Sequence, residues 1–274
     1  MTSRTTAPID EHELMSKVQD MYRAVAERPH EEFHFETGLR LAERLGYPPA
    51  DLDRIPVGAV ESFAGVGYFF DLLQLRAGER VLDLGSGAGM DAFVAAEQVG
   101  REGIVVGVDM TDEQLTKAER LRREAGYEHV SFRSGRIDQL PFADASFDVV
   151  ISNGVINLAP AKDAVFGEVA RVLRPDGRIA MADIVTEVAL TDAIVADVDL
   201  WASCIGGAPQ QDEYRQAMAR AGLQVETMQD NPYEFLSEQA RNASSTFGVK
   251  SVSLLARPVS PVAPAGPARD AARP

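Results

Sequence analysis

The run Val81-Leu82-Asp83-Leu84 leads directly into Gly85-Ser86-Gly87-Ala88-Gly89, and a helical pattern begins at Met90. A strand, a glycine turn and a helix start form a cradle for a cofactor. Glycines let the backbone come close to a ligand, and the helix N-terminus offers free N–H groups. Alone this signal is weak. A dinucleotide fingerprint needs glycine where Met90 stands, and a Walker loop needs Gly-Lys-Ser/Thr, which is absent. Two acids sharpen it. Asp83, two residues before the loop, is placed to receive an ammonium group, and Asp109, ending the next apolar run, to accept both hydroxyls of a ribose. An acid for an amine and an acid for a ribose, with no phosphate site, fit S-adenosylmethionine better than a nicotinamide dinucleotide.

Two other groupings could do chemistry. Residues 30–34 read HEEFH, the zinc-peptidase pattern, with Glu31 as base. A third ligand would have to be His12 or His129, the peptidase core is missing, and the segment follows Pro29, so no metal is expected. His34 reads either as a pocket base active near neutral pH or as an ordinary half-buried histidine. The stretch WASCIGGA holds the only tryptophan, Trp201, and the only cysteine, Cys204. That thiol reads as a nucleophile, a metal ligand or core filling.

These residues need a scaffold. A 45% hydrophobic and 25% charged composition is ordinary for a globular chain of 274 residues. A formal charge of -15 argues against nucleic acid or an anionic membrane as partner and leaves a small molecule as the expected one. A lone cysteine excludes an internal disulfide and suits the cytoplasm, and no signal peptide or membrane span is read.

Residues 1–10 and the Pro/Ala-rich 258–274 read as disordered. Residues 11–75 read as a helical cap, with Leu14, Val18, Met21 and Val25 at helical spacing. From 76 to 257 apolar runs alternate with helical patterns, such as the one opened by Thr111 as N-cap and closed by Gly126. LQVETMQD and VKSVSLLAR read as two final strands with no helix of ordinary length and pattern between them, giving an antiparallel edge. The expectation is an α/β fold: a doubly wound, mostly parallel, seven-stranded Rossmann-like sheet under an N-terminal helical cap.

VLDLGSGAGMDAF, GVDMT, LPFADASFDVVISN and VLRPDGRIAMAD together resemble a class I S-adenosylmethionine-dependent methyltransferase. Through VLDLGSGAG, ISNGVINL and CIGGA the chain is similar to arsenite methyltransferases over roughly residues 45–257. The resemblance implies that Gly85, Ser86 and Gly87, with Gly89 in the same loop, line the methionine portion and that Asp109 holds the ribose. It implies Met110 on the adenine face, Arg136-Ile137-Asp138 along the adenine edge, and Asn153 facing the methyl group. Tyr22 would reach the cofactor from the cap. Many class members carry an acid where Arg136 follows Gly135, which shifts adenine recognition to Asp138 or to backbone.

The acceptor side departs further. Arsenite methyltransferases hold a thiophilic metalloid with several thiolates. This chain has Gly154 and the cysteine-free AGVGYFF, residues 64–70, where such relatives have cysteine, and matches only at Cys204. One thiolate cannot supply two or three sulfur ligands. The expectation is methyl transfer to a small organic acceptor in specialised metabolism, in a pocket with Phe33, Tyr68, Gly154, Trp201 and Cys204, and with His34 and Asn153 as catalytic candidates. Two alternatives stand beside it: a metalloid or thiol methyltransferase using Cys204, and a non-catalytic S-adenosylmethionine-binding partner protein.

Overall fold

Seven apolar runs become strands: β1 (Arg80–Leu84), β2 (Ile104–Asp109), β3 (Val130–Ser134), β4 (Phe147–Asn153), β5 (Leu173–Val185), β6 (Leu223–Asp230) and β7 (Lys250–Pro258). They pair in the order β3-β2-β1-β4-β5-β7-β6. β1 to β5 are mutually parallel, and β7 runs antiparallel to both β5 and β6. The order reverses between β1 and β4, and there the C-terminal strand ends open a crevice. The computed structural model describes residues 10–259 except 203. The segments read as disordered lie outside the described residues apart from Asp10, Pro258 and Val259. Pro258 is the last residue of β7 and Val259 N–H donates to Gly222 O, so the sheet reaches past the boundary expected at 257.

Five helices precede the sheet: α1 (Glu11–Glu27), α2 (Leu39–Leu45), α3 (Pro49–Leu52), α4 (Val57–Glu61) and α5 (Phe70–Leu73). α6 (Met90–Val99) follows β1, α7 (Asp112–Ala125) follows β2, and α8 (Lys162–Val172) follows β4. α9 (Asp192–Val195), α10 (Val198–Ala202) and α11 (Gln211–Arg220) lie between β5 and β6. Asp10 caps α1 by accepting from the N–H groups of His12 and Glu13, satisfying two otherwise orphaned donors. Thr111 occupies the N-cap position of α7 with extended backbone but makes no side-chain cap bond, and Gly126 ends that helix in the left-handed region.

One expectation is corrected. A ten-residue helix, α12 (Glu238–Phe247), separates β6 from β7. Its sequence, EQARNASSTF, opens with good helix formers behind the N-cap Ser237, but it buries only Ala240 and Ala243, so it lacks the large apolar residues at helical spacing that mark a helix in sequence.

Alternate residues of β1 feed two cores. Val81 joins the cluster containing α2 to α6, whereas Leu82 and Leu84 face α8 and α11. The helices before β1 therefore share one apolar cluster with the sheet: Leu41, Tyr47, Phe63 and Phe70 are buried with Ile151 and Ala180. α1 is docked separately, through Leu14 and Val18 on Leu158 and Trp201.

A buried ion pair fixes this seam. Arg178 of β5 donates Nη1 and Nη2 to the two Glu79 carboxylate oxygens at 2.7 and 2.9 Å, and Nε to Leu73 O at 2.8 Å. Its Nη2 also reaches Gln74 O, closing the C-terminus of α5. Arg178→Met strands the Glu79 carboxylate in a dry setting and is expected to cost about 3–5 kcal/mol, read as a lower urea midpoint. Adding Glu79→Gln should recover part of the loss. A single-variant loss below about 1 kcal/mol, the scale of an exposed pair, would show that the pair is not structural.

Candidate active site

The cradle sits where β1 meets α6. Gly85, Gly87 and Gly89 all have positive φ, and Gly85 and Ser86 N–H both bond Val108 O, which ties the start of the turn to β2. A β-carbon at Gly87 would meet only Gln114 Oε1 at 3.7 Å, leaving the inner side of the turn free for a ligand. Asp109 braces the loop: Oδ2 accepts from Gly87 N–H at 2.9 Å and Oδ1 from Thr111 N–H at 2.8 Å. Each oxygen keeps a further lone pair for a ligand hydroxyl.

Around this loop lies a crevice of about 1090 Å³, its open mouth included, whose walls carry three carboxylates, Asp83, Asp91 and Asp109. Burial raises the pKa of all three, Asp91 to about 6; Asp83 is raised further by the neighbouring Asp91 and Asp109 charges. Asp83 is only 2% exposed, and its Oδ2 has no hydrogen-bond partner. The Ser86 Oγ is likewise buried and unpartnered. Buried acids with an unused acceptor call for a cationic ligand that donates hydrogen bonds. The ammonium and sulfonium of S-adenosylmethionine meet that requirement, so the residues present fit the group.

Asp91 and Tyr47 were not singled out from the sequence. Tyr47 O–H donates to Asp91 Oδ1 at 2.5 Å, and Asn153 Nδ2 donates to Asp91 Oδ2 at 2.9 Å. The Asn153 oxygen accepts from Val66 N–H at 2.7 Å and Gly67 N–H at 3.3 Å. Asn153 therefore lines the cavity while both ends of its amide hold the loop at 64–67. Asp91 had one legible signal, a third acid just after the glycine loop, which reads as ordinary helix-start charge. Tyr47 had none.

At the far end the cavity is lined by Met110, Ile137 and Asp138. Asp138 is held in a two-bond pair by Arg136, at 2.9 and 2.6 Å, which lowers its pKa. The residue that departs from the class pattern thus occupies both oxygens of the neighbouring acid. α1 closes over this end: Gln19 donates to Met110 O, Gln114 to Tyr22 O, and Arg23 pairs with Glu113. Tyr22 faces the cavity beside Val18 and Met15.

Tyr22 and Ala64 also line a second, tight pocket with room for about one water molecule, beside His34, Phe35, Cys204, Tyr233 and Phe235. His34 is exposed and sits edge-on to Phe35, ring centroids 4.7 Å apart. Phe33 stands behind this wall, stacked on Phe35 at 5.6 Å. Gly154 lines the larger cavity, and a β-carbon there would point at Val66 and the Ala64 carbonyl. Burial pushes the Cys204 thiol up to about 12.

Tyr68 and Trp201 line neither cavity. Tyr68 packs on Tyr47 and Phe70. Trp201 is 6% exposed, donates Nε1–H to Val195 O at 2.6 Å, and carries Lys162 Nζ over its ring at 5.0 Å. Gly206 and Gly207 of the CIGGA stretch make room for this indole, since β-carbons there would approach the Trp201 ring to 2.4 and 2.6 Å, the one at Gly207 also meeting Asn157 O at 2.1 Å. The HEEFH segment is irregular rather than helical, so His30 and His34 do not share a helix face. Among the described residues no group of three His, Cys, Asp or Glu is disposed to hold a metal ion, and no helix is long and apolar enough to cross a membrane.

A family model described as a methyltransferase domain matches residues 75–222. The chain is 42% identical over 205 residues to an arsenite methyltransferase of Halobacterium salinarum, an overlap of 74% of this chain and 52% of that protein. It is 33% identical over 162 residues to the 27-O-demethylrifamycin SV methyltransferase of Amycolatopsis mediterranei, 58% of this chain and 59% of that one. An arsenic(III) S-adenosylmethionine methyltransferase from Chlamydomonas reinhardtii shares its fold with a TM-score of 0.66 at 32% identity, covering 76% of this chain and 72% of the other. The chain spans about half the length of the curated arsenite methyltransferases it matches. The acid-lined crevice at the strand ends and these likenesses agree on one cofactor, and the chain belongs to the class I S-adenosylmethionine-dependent methyltransferases.

Proposed function

We propose that this chain transfers a methyl group from S-adenosylmethionine to a small organic acceptor in specialised metabolism. One observation carries the reading: the acid-lined crevice offers buried, unused oxygens at Asp83 and Ser86 to a cationic donor, while the side beyond Tyr22 and Ala64 presents aromatic rings and a single thiol instead of the several thiolates a metalloid asks for. S-adenosylmethionine brings a methyl group already activated by its sulfonium. The protein then has to align two partners and exclude water. Asp109 and the glycine loop fix the ribose end, the buried carboxylates favour the cationic end, and α1 covers the site through Val18 and Tyr22. Asn153 acts as a positioning residue through Asp91 and the 64–67 loop. His34, at the mouth of the second cavity, is the candidate to take the acceptor's proton. Likeness to the rifamycin-type methyltransferase supports an organic acceptor.

A second reading, metalloid methylation through Cys204, is favoured by the 42% identity to an arsenite methyltransferase. Against it, Cys204 is the chain's only cysteine, and its thiol stays protonated near neutral pH. A soft metalloid asks for several thiolates.

Three outcomes test these assignments. Asp109→Ala should weaken S-adenosylmethionine binding by about 10- to 100-fold, the scale of one or two charge-assisted bonds, measured by calorimetry; unchanged affinity would remove Asp109 from the ribose site. The second concerns pH. Burial raises the Asp91 carboxyl from 3.8 to about 6, so below that pH the empty cavity holds a proton that a cation must displace. Cofactor affinity is therefore expected to rise with pH through about 6 and to go on rising above it as Asp83, raised further, gives up its proton, with proton release on binding; a flat profile between about pH 5 and 8 would contradict the assignment. Third, Cys204→Ser should leave methyl transfer from labelled donor to organic acceptors in a metabolite extract within about twofold of wild type. Loss of turnover, or efficient methylation of arsenite by the unmodified chain, would favour the metalloid reading.

A further inference from the structure

We propose that α1 is a hinged lid: its second half is fixed to α7, and its first half closes on the crevice by latching onto Trp201 when the cofactor is bound. The lid rests on the methyl-transfer reading above. Met15, Val18 and Tyr22, spaced three and four residues apart, bring one face of α1 to the crevice, while Gly85, Ser86, Asp109 and Ile137 line it from the strand ends. A cofactor filling the crevice is therefore held between a wall built on the sheet and a wall built on one helix. Strand pairing fixes the first wall, and the second lies outside the sheet.

The two halves of α1 are held by different means. Carbonyls in the last turn of a helix have no partner inside it. Here Ser62 Oγ donates to Val25 O at 3.1 Å and Lys117 Nζ to Ala26 O at 3.1 Å, and Lys117 also donates to Ser62 Oγ at 2.7 Å. One turn earlier Gln114 donates to Tyr22 O at 2.8 Å, and Arg23 pairs with Glu113 at 2.7 Å. Glu113, Gln114 and Lys117 all belong to α7, which packs on β2 and β3, so this end is anchored to the sheet. The first half seats on a small apolar cluster separate from the two main cores: Leu14 and Val18 rest on Leu158 and Trp201, and Gln19 adds its bond to Met110 O. Apolar packing is non-directional and gives way to a small displacement, whereas the capped carbonyls hold the other end in one geometry.

Val18 and Leu158 belong both to that cluster and to the crevice wall. The sharing couples latch to ligand. A cofactor in the crevice covers the inner side of both residues and binds the closed position better, so closure follows occupancy. The seat of the latch is itself tied down. Trp201 Nε1–H donates to Val195 O, and Lys162 lies over the indole while donating to Asn157 O at 3.1 Å and Ala159 O at 3.0 Å, on either side of Leu158. Trp201 does not line the crevice, so it registers the position of α1 rather than the cofactor.

Three readings on the full chain, with S-adenosylhomocysteine as probe, test the lid. In the empty chain, protection from amide hydrogen exchange is expected to be at least about tenfold lower at residues 15–19 than at residues 23–27, and the probe should raise it at residues 15–19 at least about fivefold. Emission from Trp201, the only tryptophan, should move to shorter wavelength on binding, as Leu14 and Val18 cover the ring. Leu14→Ala, at a residue that does not line the crevice, should speed dissociation of the probe at least about fivefold, as expected when one buried leucine contact is lost. Equal protection of both halves in the empty chain, an unmoved emission, or a dissociation rate within about twofold of wild type would each overturn the proposal. The first two readings need no variant to fold. Absence of S-adenosylhomocysteine binding in calorimetry would instead overturn the methyl-transfer reading.

Discussion

The Asn153 amide is the point on which the site depends. It ends β4, and its two polar ends reach three separate parts of the chain: Asp91 in α6, Tyr47 after α2, and the backbone at Val66 and Gly67. Every one of these partners is buried or half-buried, where an unmade bond costs more than a made one returns. The loop at 64–67 is thereby pinned across the strand ends. That loop carries Ala64, part of the wall common to both cavities, and Val66, which backs the space beside Gly154. The acidic crevice and the aromatic cavity are thus positioned by one polar clasp.

Electrostatics gives the clasp its purpose. Three carboxylates concentrated in a desolvated crevice are unfavourable in the empty protein, and burial raises their pKa accordingly. The strain is tolerable because Tyr47 and Asn153 satisfy Asp91, and backbone N–H groups satisfy Asp109. Asp83 alone keeps an unpartnered oxygen. A cofactor that brings positive charge and donors relieves what the fold has stored, so ligand binding and crevice chemistry support each other.

The likeness to arsenic methyltransferases and the chemistry of the acceptor side point in different directions. The sheet belongs to the methyltransferase scaffold that the likenesses share. In this chain CIGGA has a structural reason: Gly206 and Gly207 make room for Trp201, which packs against Leu14 and Val18 of α1. A motif can therefore be kept for packing when the thiols around it are not. Cys204 lines a wall of aromatic side chains and has no second thiol to work with.

The sequence by itself determined the strands, the glycine turn and the acids at their ends, because each of these is a local pattern: alternating burial, positive φ, a carboxylate next to a turn. It also determined that the chain has one thiol, Cys204. It did not determine which aromatics meet. Phe33, Tyr68 and Trp201 read from the sequence as pocket residues, yet none of the three lines a described cavity, whereas Phe35, two residues after Phe33, does. The roles of Tyr47, Tyr233, Phe235 and α12 were equally illegible, since a large ring or a run of small polar residues carries no record of its neighbour. The bonds that matter most join residues far apart in the chain, Asn153 to Tyr47 and Arg178 to Glu79 among them. Only the folded sheet, bringing its strand ends to one edge, decides which distant side chains share a wall and therefore what that wall can bind.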